Sequence, residues 1–113
     1  MSGAYPNQRT VHIHKGETRG NSFSTITNFD VEQAYINLTF SEHKLWYYLA
    51  KNANDIDWDI SSKYLLDHYA LDRKGYWRAY NGLIDKGYIV EEEDGTINFY
   101  AHLSYKPQDD DEI

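Results

Sequence analysis

The stretch from Ser61 to Phe99 constrains the fold more than any other part of this chain. Ser61 can cap a helix whose Leu65, Leu66 and Tyr69 fall on one face at helical spacing. After a short break Asp72 can cap a second helix. Tyr76, Tyr80, Leu83 and Ile84 recur along that helix at the intervals of a buried stripe. Gly87 stands where a left-handed residue closes a helix. Tyr88-Ile89-Val90 and Thr96-Ile97-Asn98-Phe99-Tyr100 then flank Asp94-Gly95, a dipeptide favoured in two-residue hairpins. The order is helix, short turn, helix, hairpin.

The sequence before this unit supplies support. Thr10-Val11-His12-Ile13-His14 and Phe23-Ser24-Thr25-Ile26-Thr27 both alternate polar and apolar residues, and the glycine-bearing run between them suggests an N-terminal β-hairpin. Phe29 to Asn37 reads as a short helix capped by Asp30, with Val31, Ala34 and Tyr35 on one face. Thr39 and Glu42 have capping-box spacing at the head of a further helix running to about Asn52, with Leu45, Trp46, Tyr48 and Leu49 on its apolar positions. Asp55-Ile56-Asp57-Trp58-Asp59-Ile60 alternates strictly, as a short extended segment would. The expected core is Leu38, Leu45, Tyr48, Leu49, Trp58, Leu65, Leu66, Leu71, Tyr80, Leu83, Ile84 and Ile89.

Three of these segments carry a resemblance: Leu45-Trp46-Tyr47-Tyr48-Leu49, Asp57-Trp58-Asp59-Ile60-Ser61 and Leu83-Ile84-Asp85-Lys86-Gly87-Tyr88-Ile89. Together they resemble the winged helix-turn-helix domains of phage and plasmid replication-initiation proteins and related phage regulators. The resemblance covers half to two-thirds of the chain. It implies an α+β fold, a winged helix-turn-helix with an N-terminal β-hairpin extension. The organisation expected is an arm and hairpin over residues 1–28, a winged-helix domain over 29–105, and an acidic disordered tail over 106–113. It also implies binding of double-stranded DNA in replication initiation or transcriptional control, and as a homodimer; the cysteine-free composition, with neither a membrane-length run nor a signal-peptide pattern, leads to the expectation of a cytoplasmic protein. The chain departs from the family pattern at Gly75 and Gly82 in the recognition helix, and at an acidic wing tip.

On the second helix, an inward Tyr76, Tyr80, Leu83 and Ile84 leaves Arg73, Lys74, Trp77, Arg78 and Asn81 facing outward. With Lys63 they form the expected DNA-binding set. Guanidinium groups suit phosphates or guanine edges, an amide suits adenine, and an indole suits sugar or thymine-methyl contact. The same residues also fit a plain solvated helix face. Charge points two ways. The chain carries a net charge of −7, and from Glu91 onward there are eight acids and one base, while the first ninety residues balance. An acidic wing repels phosphate. An alternative is therefore an interaction or inhibitor protein that docks Glu91, Glu92, Glu93 and Asp94, with the tail, on a basic protein surface.

Other chemistry finds little in the sequence. There are no cysteines, hence no disulfide and no thiolate ligand or nucleophile. His12 and His14 lack further ligands at zinc spacing, and Asp55, Asp57 and Asp59 lack the glycine and glutamate of a calcium loop. No phosphate-binding glycine loop or nucleophile elbow is present. The expectation is no enzyme, no metal and no cofactor, and no run has the length of a membrane span.

Overall fold

The computed structural model describes residues 9–15 and 26–107. These form an α+β fold of four α-helices and one four-stranded mixed sheet. The elements are β1 (Thr10–His14), α1 (Asn28–Asn37), α2 (Phe40–Ala50), β2 (Asp57–Asp59), α3 (Ser62–Tyr69), α4 (Arg73–Lys86), β3 (Ile89–Glu91) and β4 (Ile97–Tyr100). A short 3-10 turn, Leu103–Tyr105, follows. No helix among the described residues is long and apolar enough to cross a membrane.

The helix ends follow local chemistry. Thr39 Oγ accepts from Glu42 N and Glu42 Oε1 accepts from Thr39 N at 3.0 Å, completing the capping box of α2. Ser61 caps α3 and Asp72 caps α4, the latter through a 2.8 Å bond from Gly75 N. α4 closes at Gly87, whose φ of 93° suits a residue without a Cβ. At α1 the cap is Thr27, not Asp30. Asp30 lies in the first turn, buried, and accepts a 2.6 Å bond from the Tyr105 hydroxyl. Tyr35 does not share the inner face with Ala34 and is 79% exposed. One residue is about 100° of helix, which carries Tyr35 to the outside.

The sheet order is β2-β1-β4-β3, with β1 antiparallel to β2 and parallel to β4. This corrects the N-terminal hairpin. A strand has two edges, and both edges of β1 are taken. The hairpin's other expected strand, Phe23 to Thr27, falls mainly outside the described residues, and Thr27 serves instead as the helix cap. The extended segment expected over Asp55 to Ile60 forms β2 and pairs with β1, which separates it from the β3–β4 hairpin. Val11 and Ile13 consequently sit at the centre of the molecule, fully buried.

The helices cover one face of the sheet, α2 and α4 making the most extensive helix pair. Leu45, Trp46, Leu49, Leu65, Tyr76, Ala79, Tyr80, Leu83, Ile89 and Phe99 fill the space between. Trp46 is wholly buried and donates its indole N–H to the Ala101 carbonyl at 2.9 Å, the partner a buried indole requires. Leu66 was expected in the core and is 52% exposed. Leu65 and Tyr69, four apart, own the inner face of α3, and Leu66 is rotated off it.

The turn between β3 and β4 is also longer than expected. Glu91 pairs with Ile97, and Glu92 N donates to Thr96 O, so the loop is Glu93-Asp94-Gly95. Gly95 N returns to Glu92 O at 3.1 Å and Gly95 has φ of 94°. This is a type I turn closed by a left-handed glycine, the three-residue hairpin solution.

Candidate nucleic-acid interface

α4 carries the candidate site on its outer face. Its buried stripe of Tyr76, Ala79, Tyr80 and Leu83 leaves Arg73, Lys74, Arg78 and Asn81 exposed. Arg73, Lys74 and Arg78 make no ion pair with any described residue, and the Asn81 amide makes no hydrogen bond with one. From Arg73 to Asn81 the helix advances about 12 Å, close to the width of about 12 Å of a B-DNA major groove. Asp85 ends the stripe, so the positive charge lies in the N-terminal two turns. Lys63 stands on α3 and not on this face. It is exposed and forms a 2.7 Å ion pair with Asp67, four residues on.

Trp77 differs from the expectation. It is half-buried, under the Arg9 guanidinium at 4.7 Å from the ring centroid and edge-on to Tyr80 at 5.6 Å. Arg9 also lies 5.3 Å from the Tyr80 ring and 3.9 Å from Glu91 Oε2. The Tyr80 hydroxyl donates to the same Glu91 oxygen at 2.6 Å. Burial, and then that bond, raises the Tyr80 pKa well above its ordinary value of 10.0. Burial pushes the neighbouring Tyr76 hydroxyl up to about 12. No family model, curated protein or solved structure matches this chain.

Arg9 is the residue that sequence reasoning missed. It precedes β1, and nothing in its neighbours signals that the chain returns to place it beside α4. Only the insertion of β1 into the sheet does so, through Ile60 N bonding the Arg9 carbonyl at 2.8 Å. The result ties helix to hairpin: Trp77 and Tyr80 from α4, Glu91 from β3, with a guanidinium stacked among them.

The four acids of the β3–β4 hairpin, Glu91 to Asp94, are therefore not equivalent. Glu91 is engaged at the base of the hairpin. Glu92 accepts from Asn98 Nδ2 at 3.0 Å, and Asp94 accepts from Thr96 N at 2.9 Å, which with other local bonds holds its carboxyl below the ordinary range. Glu93 is exposed at the tip. Glu92, Glu93, Asp94, Thr96 and Asn98 together line an open, shallow groove.

The sheet face away from the helices carries a second polar array. The Thr10 hydroxyl bonds Asp59. His12 places Nδ1 2.7 Å from Asp57 and Nε2 2.8 Å from Asp55. Carboxylates only accept, so both ring nitrogens must donate, and this geometry holds an imidazolium. The bonds from Asp57 and then Asp55 raise the His12 pKa above 6.5, and desolvation opposes them. His14 stacks on Tyr100 at 4.6 Å and bonds Asn98 Oδ1 at 2.8 Å. The two histidines and the three aspartates recur at every second residue of their segments, the spacing of one strand face. Pairing β1 with β2 joins His12 to Asp55 and Asp57, while pairing β1 with β4 sets His14 against Asn98 and Tyr100.

Proposed function

We propose that this is a winged helix-turn-helix protein of phage or plasmid type that binds double-stranded DNA, in replication initiation or transcriptional control. α3 and α4 would form the helix-turn-helix, α4 would enter the major groove, and β3–β4 would be the wing. The observation that carries this reading is the exposed, unpaired basic face of Arg73, Lys74 and Arg78 beside Asn81 on a helix capped at both ends. The motif resemblance over Leu45–Leu49, Asp57–Ser61 and Leu83–Ile89 supports it. Arg73, Lys74 and Arg78 would position the helix on phosphates, and Asn81 would lie nearest a base edge. Lys63 would reach the backbone from α3 at the expense of its Asp67 pair. Trp77, largely engaged by Arg9 and Tyr80, would brace the helix against the wing while its exposed edge meets the duplex.

The test is a duplex-binding titration of the single variants Arg73→Ala and Arg78→Ala. Each is expected to weaken binding across sequences and to lower the salt slope by about one. Unchanged affinity and slope in both would refute the reading.

A second reading rests on the groove lined by Glu92, Glu93 and Asp94, whose acids suit a basic protein surface. It predicts that Glu92→Gln with Glu93→Gln abolishes capture of a basic partner and leaves any duplex binding intact. Glu91 is not part of that surface on this geometry.

A further inference from the structure

We infer, on the strength of the DNA-binding reading above, that Arg9 is a further phosphate contact of the duplex, placed by β1 at the seam between α4 and the β3–β4 hairpin. On α4, Arg73, Trp77 and Asn81 follow one another at four-residue intervals and so share one ridge, with Trp77 about 6 Å along the helix from each neighbour. Arg73 and Asn81 are exposed, while Trp77 is half-buried and edge-on to Tyr80. The Arg9 guanidinium lies 4.7 Å from the Trp77 ring centroid and 5.3 Å from that of Tyr80. A base from the start of the first strand therefore stands on the flank of the basic helix face, on the side where Glu91 of the hairpin approaches.

What remains free at Arg9 is its hydrogen bonding. Stacking on aromatic rings engages the faces of a guanidinium, whereas its five N–H groups point outward in the plane. None of them bonds an acceptor on a described residue, and Nε is buried without a partner. The acid beside it, Glu91, stands 3.9 Å from Nε, beyond hydrogen-bond length, and its Oε2 already accepts from the Tyr80 hydroxyl at 2.6 Å. A purely structural tie would have closed a hydrogen bond to Glu91, and this one does not. The Arg9 side chain also keeps 29% of its surface exposed. Two rings thus hold a charged group in place while its donors stay unspent. Such a group loses little side-chain freedom on binding and presents a planar fork that matches two phosphate oxygens.

Fluorescence anisotropy of the full chain with a random duplex, between about 50 and 200 mM salt, tests this. Arg9→Gln removes the charge. It is expected to weaken binding about tenfold at the lower salt and to make the loss across that range roughly 3.5-fold smaller, a slope lower by about one. Arg9→Lys, which keeps a positive charge, keeps the slope. Glu91→Gln strengthens binding, since it retains an oxygen for the Tyr80 hydroxyl and removes the acid that competes with phosphate for the guanidinium. Because it leaves Arg9 unchanged, Glu91→Gln decides the matter even where Arg9→Gln destabilises the fold. A slope unchanged in Arg9→Gln, or binding weakened by Glu91→Gln, would make Arg9 a brace between helix and hairpin and overturn the inference. Failure of the DNA-binding reading looks different: the wild type then binds no duplex at all, and this contact falls with it.

Discussion

At the scale of single residues, two positions show how context overrides a simple rule. Gly82 weakens a helix by about 1 kcal/mol relative to alanine on propensity alone. Yet a Cβ at Gly82 would lie 2.0 Å from Glu42 Oε2 and 2.7 Å from its Cδ. That carboxyl cannot swing aside cheaply. It is buried, closes the α2 capping box, and accepts from Lys86 Nζ at 2.6 Å. Gly82→Ala is therefore expected to lower stability by about 1–3 kcal/mol, the cost of overpacking exceeding the propensity gain. Denaturant unfolding decides it, and a more stable variant would refute the close-approach account. The second position is His12. Its folded pKa is raised, so its contribution is complete below the unfolded value near 6.5 and fades as pH rises through the folded value. Unfolding midpoints of the wild type should fall over that window. His12→Gln, which cannot charge, should flatten the dependence there.

At the scale of elements, the local signals were strong where chemistry is short-range. The capping box at Thr39, the caps at Ser61 and Asp72 and the Gly87 terminus place α2, α3 and α4 within a residue or two of their expected limits. What the sequence did not carry was strand partnership. The alternation of Thr10 to His14 specifies a strand, but an alternating pattern is silent on whether that strand pairs with Phe23–Thr27 or enters the sheet between β2 and β4. The length of the β3–β4 turn is open in the sequence for a related reason, since Asp94-Gly95 fits a three-residue loop as well as a two-residue one. The candidate site was legible on α4 because one helix supplies it. Arg9 was not, because its place depends on β1. This gives an element-scale prediction. Ile13→Ala should cost about 2–5 kcal/mol, as for a buried core position. An appended arm would lose almost nothing on the same change, so a small effect in thermal or denaturant unfolding would contradict the insertion of β1.

At the scale of the whole molecule, charge is segregated. The bases of α4 lie on one surface, while the tip of the β3–β4 hairpin and the β2 edge carry Glu92, Glu93, Asp94, Asp55, Asp57 and Asp59. Net charge alone would argue against nucleic acid, but phosphate contact depends on the local field of the face presented. If Arg73, Lys74 and Arg78 each neutralise one phosphate, the slope of log affinity against log salt is about −2.7, or roughly a fortyfold loss between about 50 and 200 mM. The most direct measurement is a fluorescence-anisotropy titration of the protein against a random duplex at those two salt concentrations. Binding at the lower salt that weakens by roughly that factor is the result expected of a basic α4 face on DNA. No binding at the lower salt, or binding indifferent to salt, would contradict it and leave the acidic groove of the hairpin as the functional surface.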